Sequence, residues 1–243
     1  MSKIKYFFLA IRYYSLPMSI LCSLMAFLTA YKTTNANVFY GFLATAGVIL
    51  IHIGVNLFDD VIDTCFKVPK QGYKTKYLDD KVFNLKQIIF FTTLFFLPAI
   101  IIGCFFLYKL GFELLYVIIP TIIIALIYPI SNNFAMGEIF IGLAFGPLLF
   151  EGIYYVMTNS YSKISFLSSI IPSILVSFVA FVHSLMDIEF DKQSGKFTLA
   201  ILFEKIGIKF EKLNGQNFLK NFMMAQNISI IYSLIFIILM VLK

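Results

Sequence analysis

The sequence predicts an all-α fold: a polytopic bundle of about seven transmembrane helices forming one domain over residues 1–243. Three observations predict it. The chain is 60% hydrophobic and only 13% charged, with a mean hydropathy of +0.90, where a soluble domain would carry about 25% charged residues. Apolar runs of about 20 residues recur along its length, each long enough to cross a bilayer. The alternating segments of about 10 residues that mark a β-barrel are missing.

The spans are expected at about 8–30, 38–58, 87–108, 112–130, 137–157, 164–186 and 219–241, by the length and continuity of the apolar runs. The first is too long and too aromatic for a signal peptide, and no small-residue cleavage site follows it. Tryptophan is absent, so Tyr and Phe are expected to form any interfacial belt, Tyr154 and Tyr155 among them. Prolines in or beside the spans, such as Pro98, Pro120 and Pro172, are tolerated there as kinks. Gly142 and Gly146 form a GxxxG in the fifth span, which predicts a close helix contact. Cys22, Cys65 and Cys104 form no CxxC pair, so neither a zinc nor a redox motif is indicated.

A net charge of +6 suits nucleic acid or a membrane surface, and its distribution selects the membrane. Fifteen of the 19 basic residues fall on one side of the expected spans. The positive-inside rule then puts the N-terminus and both long charged loops, about 59–86 and 187–218, in the cytoplasm. The expected location is a bacterial inner membrane. Loops of that length in a compact bundle are usually functional or disordered.

Each loop opens on acids. Asp59, Asp60 and Asp63 follow the second span in VNLFDDVID, and Asp187, Glu189 and Asp191 follow the sixth in MDIEFDKQSGK. Asp59 and Asp63 are spaced i, i+4, as are Asn56 and Asp60, and Asp187 and Asp191, so each pair shares a helix face. Both clusters sit at helix C-termini, where the dipole disfavours a carboxylate by about 0.3–1 kcal/mol each. One reading is solvated loop charge beside lysines. The sharper reading is two carboxylate faces holding Mg²⁺, a hard ion that binds through a few carboxylates plus substrate phosphates. Lys67 and Lys70 follow the first cluster, and Lys192 and Lys196 the second, as point charges for phosphate. Together these describe a lipid diphosphate site, with the head at the cytoplasmic face and the tail between helices.

VNLFDDVID resembles the NDxxD motif of the UbiA superfamily of membrane prenyltransferases, and DIEFDKQSGKFTLA resembles its second motif, DxxxD followed by Gly-Lys-x-Thr-Leu-Ala. AIRYYSLPMSI and GEIFIGLAFGPLLFEGIYYV extend the likeness toward the 1,4-dihydroxy-2-naphthoate polyprenyltransferase branch of menaquinone synthesis. The resemblance implies Mg²⁺-dependent transfer of a polyprenyl group from an allylic diphosphate to an aromatic acceptor. It implies metal ligation by Asp59, Asp60, Asp63, Asp187 and Asp191, with Asp60, Asp63, Asp187 and Asp191 catalytic. It implies substrate contacts from Arg12, Asn56, Lys67, Lys70, Tyr128, Lys192 and Lys196.

Several positions depart from the family pattern. Asp59 stands where the first motif has Asn, and Lys67 or Pro69 falls near the place of a further Asp. The family's Tyr-x-x-x-Lys reads Tyr128-x-x-x-Asn132, and Met186 replaces an Arg. Family members usually have nine spans, against seven here.

Other polar residues carry open readings. Arg12, the single arginine, either serves the site or snorkels to headgroups. His183 is either a packed ring or an acceptor contact, and His52 a helix–helix hydrogen bond. Glu138 matches a Gly-Glu pair of the family near a loop, and Glu151 reads as structural. A transporter is the rival class, but its charges would lie near the bilayer midplane. A structural subunit gives no reason for two matched acidic faces. Within the superfamily, 4-hydroxybenzoate, a glycerol phosphate or another acceptor stays open.

Overall fold

The computed structural model describes residues 3–33, 36–66, 76–131, 133–208 and 218–242. Among these residues there is no strand, and seven helical segments are long and apolar enough to cross a membrane: Tyr13–Lys32, Val38–Cys65, Leu85–Leu110, Phe112–Ser131, Gly137–Thr158, Lys163–Met186 and Phe222–Leu242. They reproduce the seven expected spans in number and order.

The first span differs from expectation. Instead of one helix from about residue 8, α1 (Lys3–Ala10) stops, Arg12 takes a left-handed conformation (φ 53°, ψ 51°), and α2 (Leu16–Thr33) starts afresh. Pro17 lies in the first turn of α2, where its missing N–H has no intrahelical partner to lose. A left-handed arginine is uncommon, and here the side chain is held by Asp59 and Asp60.

The second difference concerns the acids. α3 (Val38–Cys65) has 28 residues, about 42 Å at 1.5 Å per residue, against a hydrocarbon core of about 30 Å. Asp59, Asp60 and Asp63 therefore ride on the last turns of a continuous helix instead of opening a loop. The expected 59–86 loop shrinks further, because α4 (Lys76–Asp79) folds inside it and α5 begins at Leu85 and runs to Leu110. Asn84 and Gln87 form a capping box at the start of α5, satisfying two N–H groups reciprocally.

α6 (Leu115–Ser131) leads to the fifth span, built of α7 (Gly137–Leu143) and α8 (Leu149–Thr158) joined by a π turn at Ala144–Leu148. Gly146 carries the kink at φ −92°, ψ −106°, next to Pro147. α9 (Lys163–Met186) is capped by Ser162, whose side chain accepts from the N–H groups of Ile164 and Ser165. α10 (Ile188–Gln193) and α11 (Leu199–Lys205) fold the second charged segment, and α12 (Phe218–Leu242) follows.

The GxxxG contact is present. A Cβ on Gly142 would lie 3.1 Å from the Ser173 carbonyl, and one on Gly146 3.1 Å from that of Ser169, so α7 and the π turn rest on the α9 backbone. Ser173 and Ser177 of α9 donate to the carbonyls of Gly142 (2.8 Å) and Glu138 (2.9 Å). Interhelical hydrogen bonds and small residues of this kind hold helices together where lipid removes the hydrophobic driving force.

Tyr154 and Tyr155 are not an interfacial belt. Both are buried with Met25, Ala26, Phe150 and Ile153 in the core between α2 and α8. The Tyr155 hydroxyl stays satisfied at the edge, donating to the Leu110 carbonyl (3.4 Å) and to Glu113 (3.3 Å). A second core joins α1, α3 and α4 through Tyr6, Leu57 and Tyr77. Glu151 is structural as expected, its Oε2 accepting from the Ser162 N–H at 3.2 Å. α12 is tied to the start of the chain by Gln226 Nε2, which donates to the Tyr14 carbonyl at 2.9 Å.

Candidate active site

The C-terminal turns of α3 supply the first acids. Their i, i+4 spacing separates two faces. Asn56 and Asp60 are buried, and Asn56 Nδ2 donates to the Ile11 carbonyl at 3.1 Å. This bond anchors the break between α1 and α2 beside the acids. Arg12 then turns inward, with Nη2 2.7 Å from Asp59 Oδ2 and 2.9 Å from Asp60 Oδ1. Its position here settles against headgroup snorkelling. Burial works against the guanidinium's charge, but Asp60 and Asp59 outweigh it and hold its pKa well above the ordinary value.

The second oxygen of Asp60 accepts a hydrogen bond from the Tyr77 hydroxyl. Burial, then the nearby Asp60 charge, pushes the Tyr77 pKa far up, so the phenol stays protonated and donates. Asp60, 2% exposed, is thus held between a cation and a phenol. Both are needed, because an unpaired buried charge is costly.

The second acidic segment folds back onto the first. The helical path continues past Met186, with the Asp191 N–H donating to the Asp187 carbonyl at 2.8 Å. α10 ends at Gln193, and Gly195, with a φ of +71°, reverses the chain, as glycine commonly does after a helix. The reversal brings Lys196 Nζ to 3.5 Å from Asp63 Oδ2, an ion pair across 133 positions. The Phe197 carbonyl accepts from the Ala135 N–H at 2.7 Å, so the turn before α7 joins the same assembly. His183 Nδ1 lies 3.4 Å from Asp187 Oδ2, and its ring packs edge-on to Phe222 of α12.

These groups surround one cavity of about 440 Å³. Its polar part holds six carboxylates, Asp59, Asp60, Asp63, Glu138, Asp187 and Asp191, and two permanent cations, Arg12 and Lys196. The remainder is apolar, with Met18, Ile141, Phe145, Val176 and Val179 in the wall. The cavity therefore has a cation-seeking end and a greasy end.

Of the substrate contacts expected from sequence, Arg12, Asn56, Tyr128 and Lys196 line this cavity. Lys192 lies outside it, on the surface, paired with Glu204. Lys67, Lys70 and Asn132 lie outside the described residues. His52 makes the expected helix–helix bonds, to Ser15 (3.1 Å) and Ser19 of α2. Sequence reasoning missed Tyr77, Ser184 and Thr198. Tyr77 gives no signal inside a lysine-rich segment, whereas Thr198 stands within the FTLA run.

Among the described residues, no three His, Cys, Asp or Glu side chains converge closely enough to hold an ion unaided. Asp59, Asp60 and Asp63 are engaged by Arg12, Tyr77 and Lys196. The donor set is nevertheless all carboxylate oxygen, which suits Mg²⁺ sharing its shell with substrate phosphate and water.

Two buried oxygens in the wall, Glu138 Oε2 and Thr198 Oγ1, have no hydrogen-bond partner among the described residues. Leaving a buried polar atom unpaired costs about 1–3 kcal/mol, more for a charged group.

Solved structures share the fold at low sequence identity. A digeranylgeranylglyceryl phosphate synthase in membranes matches with a TM-score of 0.62 and 14% identity, over 98% of both chains. A UbiA homologue from Archaeoglobus fulgidus bound to GPP and Mg²⁺ matches at 0.60 and 16%, over 98% of this chain and 78% of that one. The same organism's homologue bound to DMAPP and Mg²⁺ matches at 0.59 and 14%, over 97% and 84%. No curated protein matches the chain. The model of the UbiA prenyltransferase family matches residues 18–242, a stretch that contains both acidic segments and nearly all of the cavity wall, and the chain belongs to that family.

Proposed function

We propose that this chain is a Mg²⁺-dependent transferase that moves a polyprenyl group from an allylic diphosphate to an aromatic acceptor, 1,4-dihydroxy-2-naphthoate in menaquinone synthesis. One observation carries the diphosphate half of this reading. Six carboxylates face two permanent cations in a cavity whose other wall is apolar. That imbalance calls for cations, and a diphosphate bridged by divalent ions supplies both the charge and the missing oxygen ligands. The Archaeoglobus fulgidus homologues bound to GPP or DMAPP with Mg²⁺ support it. The naphthoate acceptor draws on the GEIF, FGPLL and GIYYV segments. One domain over residues 1–243, with its charged end facing the cytoplasm of a bacterial inner membrane, completes the proposal.

Asp59, Asp60, Asp63, Asp187 and Asp191 are the residues that would hold the metal. Bound Mg²⁺ supplies positive charge for the departing diphosphate. Arg12 and Tyr77 fix Asp60, and Lys196 offers its ammonium to the same negative charge. As the allylic C–O bond breaks, its electron pair leaves with the diphosphate. Phe145 and its apolar neighbours exclude the water that would trap the cationic carbon. The ring carbon that bears the carboxylate forms the new C–C bond, and that carboxylate leaves as CO₂, its C–C electron pair restoring the aromatic ring.

A second reading takes an alcohol acceptor such as a glyceryl phosphate, drawing on the synthase structure that matches over 98% of both chains. The test supplies membranes carrying the protein with Mg²⁺ and a polyprenyl diphosphate. Dihydroxynaphthoate, 4-hydroxybenzoate or a glyceryl phosphate is added, with Asp187→Asn as control. A prenylated naphthol lost in the control supports the proposal. Product from another acceptor alone replaces the acceptor, and no product from any, with the protein inserted, rejects the transferase.

A further inference from the structure

Glu138 is the one carboxylate of the cavity outside both acidic segments. It sits at the start of α7, is 3% exposed, and is held from two directions. The Ser184 hydroxyl donates to its Oε1 at 2.6 Å, and Ser177 donates to its backbone carbonyl at 2.9 Å. Gly142 and Gly146 let α7 lie directly on α9, which carries both serines. The side chain is therefore rigidly placed, with one oxygen satisfied and the other, Oε2, buried in the cavity wall without a partner. A buried acceptor atom held this firmly and left open is matched by a donor that arrives with a ligand.

The donor belongs to the acceptor substrate. An allylic diphosphate has acceptor oxygens and hydrocarbon and no hydrogen-bond donor for Oε2, and its divalent ions belong to the aspartates of the two acidic segments. A carboxylate or phosphate on the acceptor is repelled there. A hydroxyl fits both requirements. We propose that Glu138 Oε2 takes a hydrogen bond from a hydroxyl of the acceptor, so that Glu138 orients the acceptor and sets its specificity for an O–H-bearing substrate. This rests on the transferase reading above. For an aromatic acceptor the bond also raises electron density on the ring oxygen and so on the attacking carbon. Tyr128 and Ser184 line the same cavity.

The test uses the full chain in nanodiscs and separates the two substrates. Glu138→Gln keeps the size of the side chain and an oxygen for Ser184, but places an N–H₂ at the Oε2 position. The expected result is a fall in acceptor kcat/KM of about 100-fold or more, with the Kd of the prenyl diphosphate in Mg²⁺ within about twofold of wild type. In the wild-type protein, methylating the acceptor hydroxyl that meets Glu138 gives a comparable loss, and the variant no longer separates the methyl ether from its parent. Undiminished acceptor kcat/KM in Glu138→Gln overturns the proposal. So does an equal loss of diphosphate binding, which would make Glu138 a general support of the site. Wild-type turnover of every singly methylated acceptor at parental rates overturns it without any variant. A wild-type protein that binds diphosphate but prenylates no acceptor rejects the transferase reading and this inference together.

Discussion

Arg12 and Asp60 lie 48 positions apart, and Nη2 of one is 2.9 Å from Oδ1 of the other. The same nitrogen reaches Asp59 at 2.7 Å. One guanidinium thus spans two neighbouring acids of the first motif. Arg12→Met leaves buried Asp60 with the Tyr77 hydroxyl but without its counter-charge, and breaking such a buried ion pair costs about 3–5 kcal/mol. The expected result is a clearly lower thermal midpoint in detergent together with lost diphosphate release. Arg12→Lys recovers only part of either, because a strongly hydrated ammonium on a flexible stem does not fix its donors in the plane from which one guanidinium nitrogen serves both carboxylates. Full stability in Arg12→Met would remove the pair from the account.

Tyr77→Phe deletes one hydroxyl and nothing else. Asp60 Oδ2 loses its donor, at a cost of about 1–3 kcal/mol. Reduced activity at saturating acceptor, with a modest fall in melting temperature, is expected. An unchanged Mg²⁺ titration of activity in this variant would show that Asp60 does not need Tyr77.

Asp60→Asn and Asp187→Asn take one charge from each acidic segment without changing side-chain size. Turnover in each is expected to fall by about 100-fold or more, with insertion into the membrane intact. If both variants retain wild-type diphosphate release, the metal role fails.

Chelation gives an independent check. EDTA is expected to stop prenyl transfer, and Mg²⁺ to restore it more fully than Ca²⁺, whose larger shell and looser geometry fit a shared carboxylate–diphosphate site less well. Activity that persists in EDTA would leave the imbalance of charge in the cavity without its proposed remedy.

Gly146→Ala places a methyl where a Cβ would stand 2.4 Å from the Cβ of Ser173 and 3.1 Å from the Ser169 carbonyl. Overpacking of this kind costs about 1–3 kcal/mol. Because α7 carries Glu138, the shift is expected to raise acceptor KM before it affects diphosphate binding. A variant with wild-type melting and wild-type KM would mean that α7 and α9 separate freely.

Much of this architecture was legible in the sequence. The seven spans follow from apolar run length alone, since a lipid-crossing helix must satisfy its backbone internally. Both acidic segments stood out because carboxylates at helix C-termini are unfavourable without compensation. Gly142 and Gly146 announced the α7–α9 contact. The compensation itself was not legible. Arg12 read equally well as a snorkelling cation, because its role depends on a left-handed turn that no neighbouring glycine signals. Tyr77 lies among lysines, and only the folded chain brings it onto Asp60. Lys192 and Lys196 looked alike, four positions apart, yet Gly195 turns one inward and leaves the other on Glu204. Tyr154 and Tyr155 misled because aromatic residues near a span end suit either an interface or a core.

The bond from Gln226 to the Tyr14 carbonyl spans 212 positions, and it has a consequence for biogenesis. Arg12 and its acids are all in the chain once α3 has been made, but Phe222, which also lines the cavity, arrives with the last described helix, α12. At about 5–20 residues per second, roughly 8–32 s separate those events. Every other residue of the cavity wall precedes Phe222 in the chain, Thr198 being the nearest, so at the end of that interval the cleft lacks only its α12 side. α12, tied back to Tyr14, is the latch on that side of the cleft.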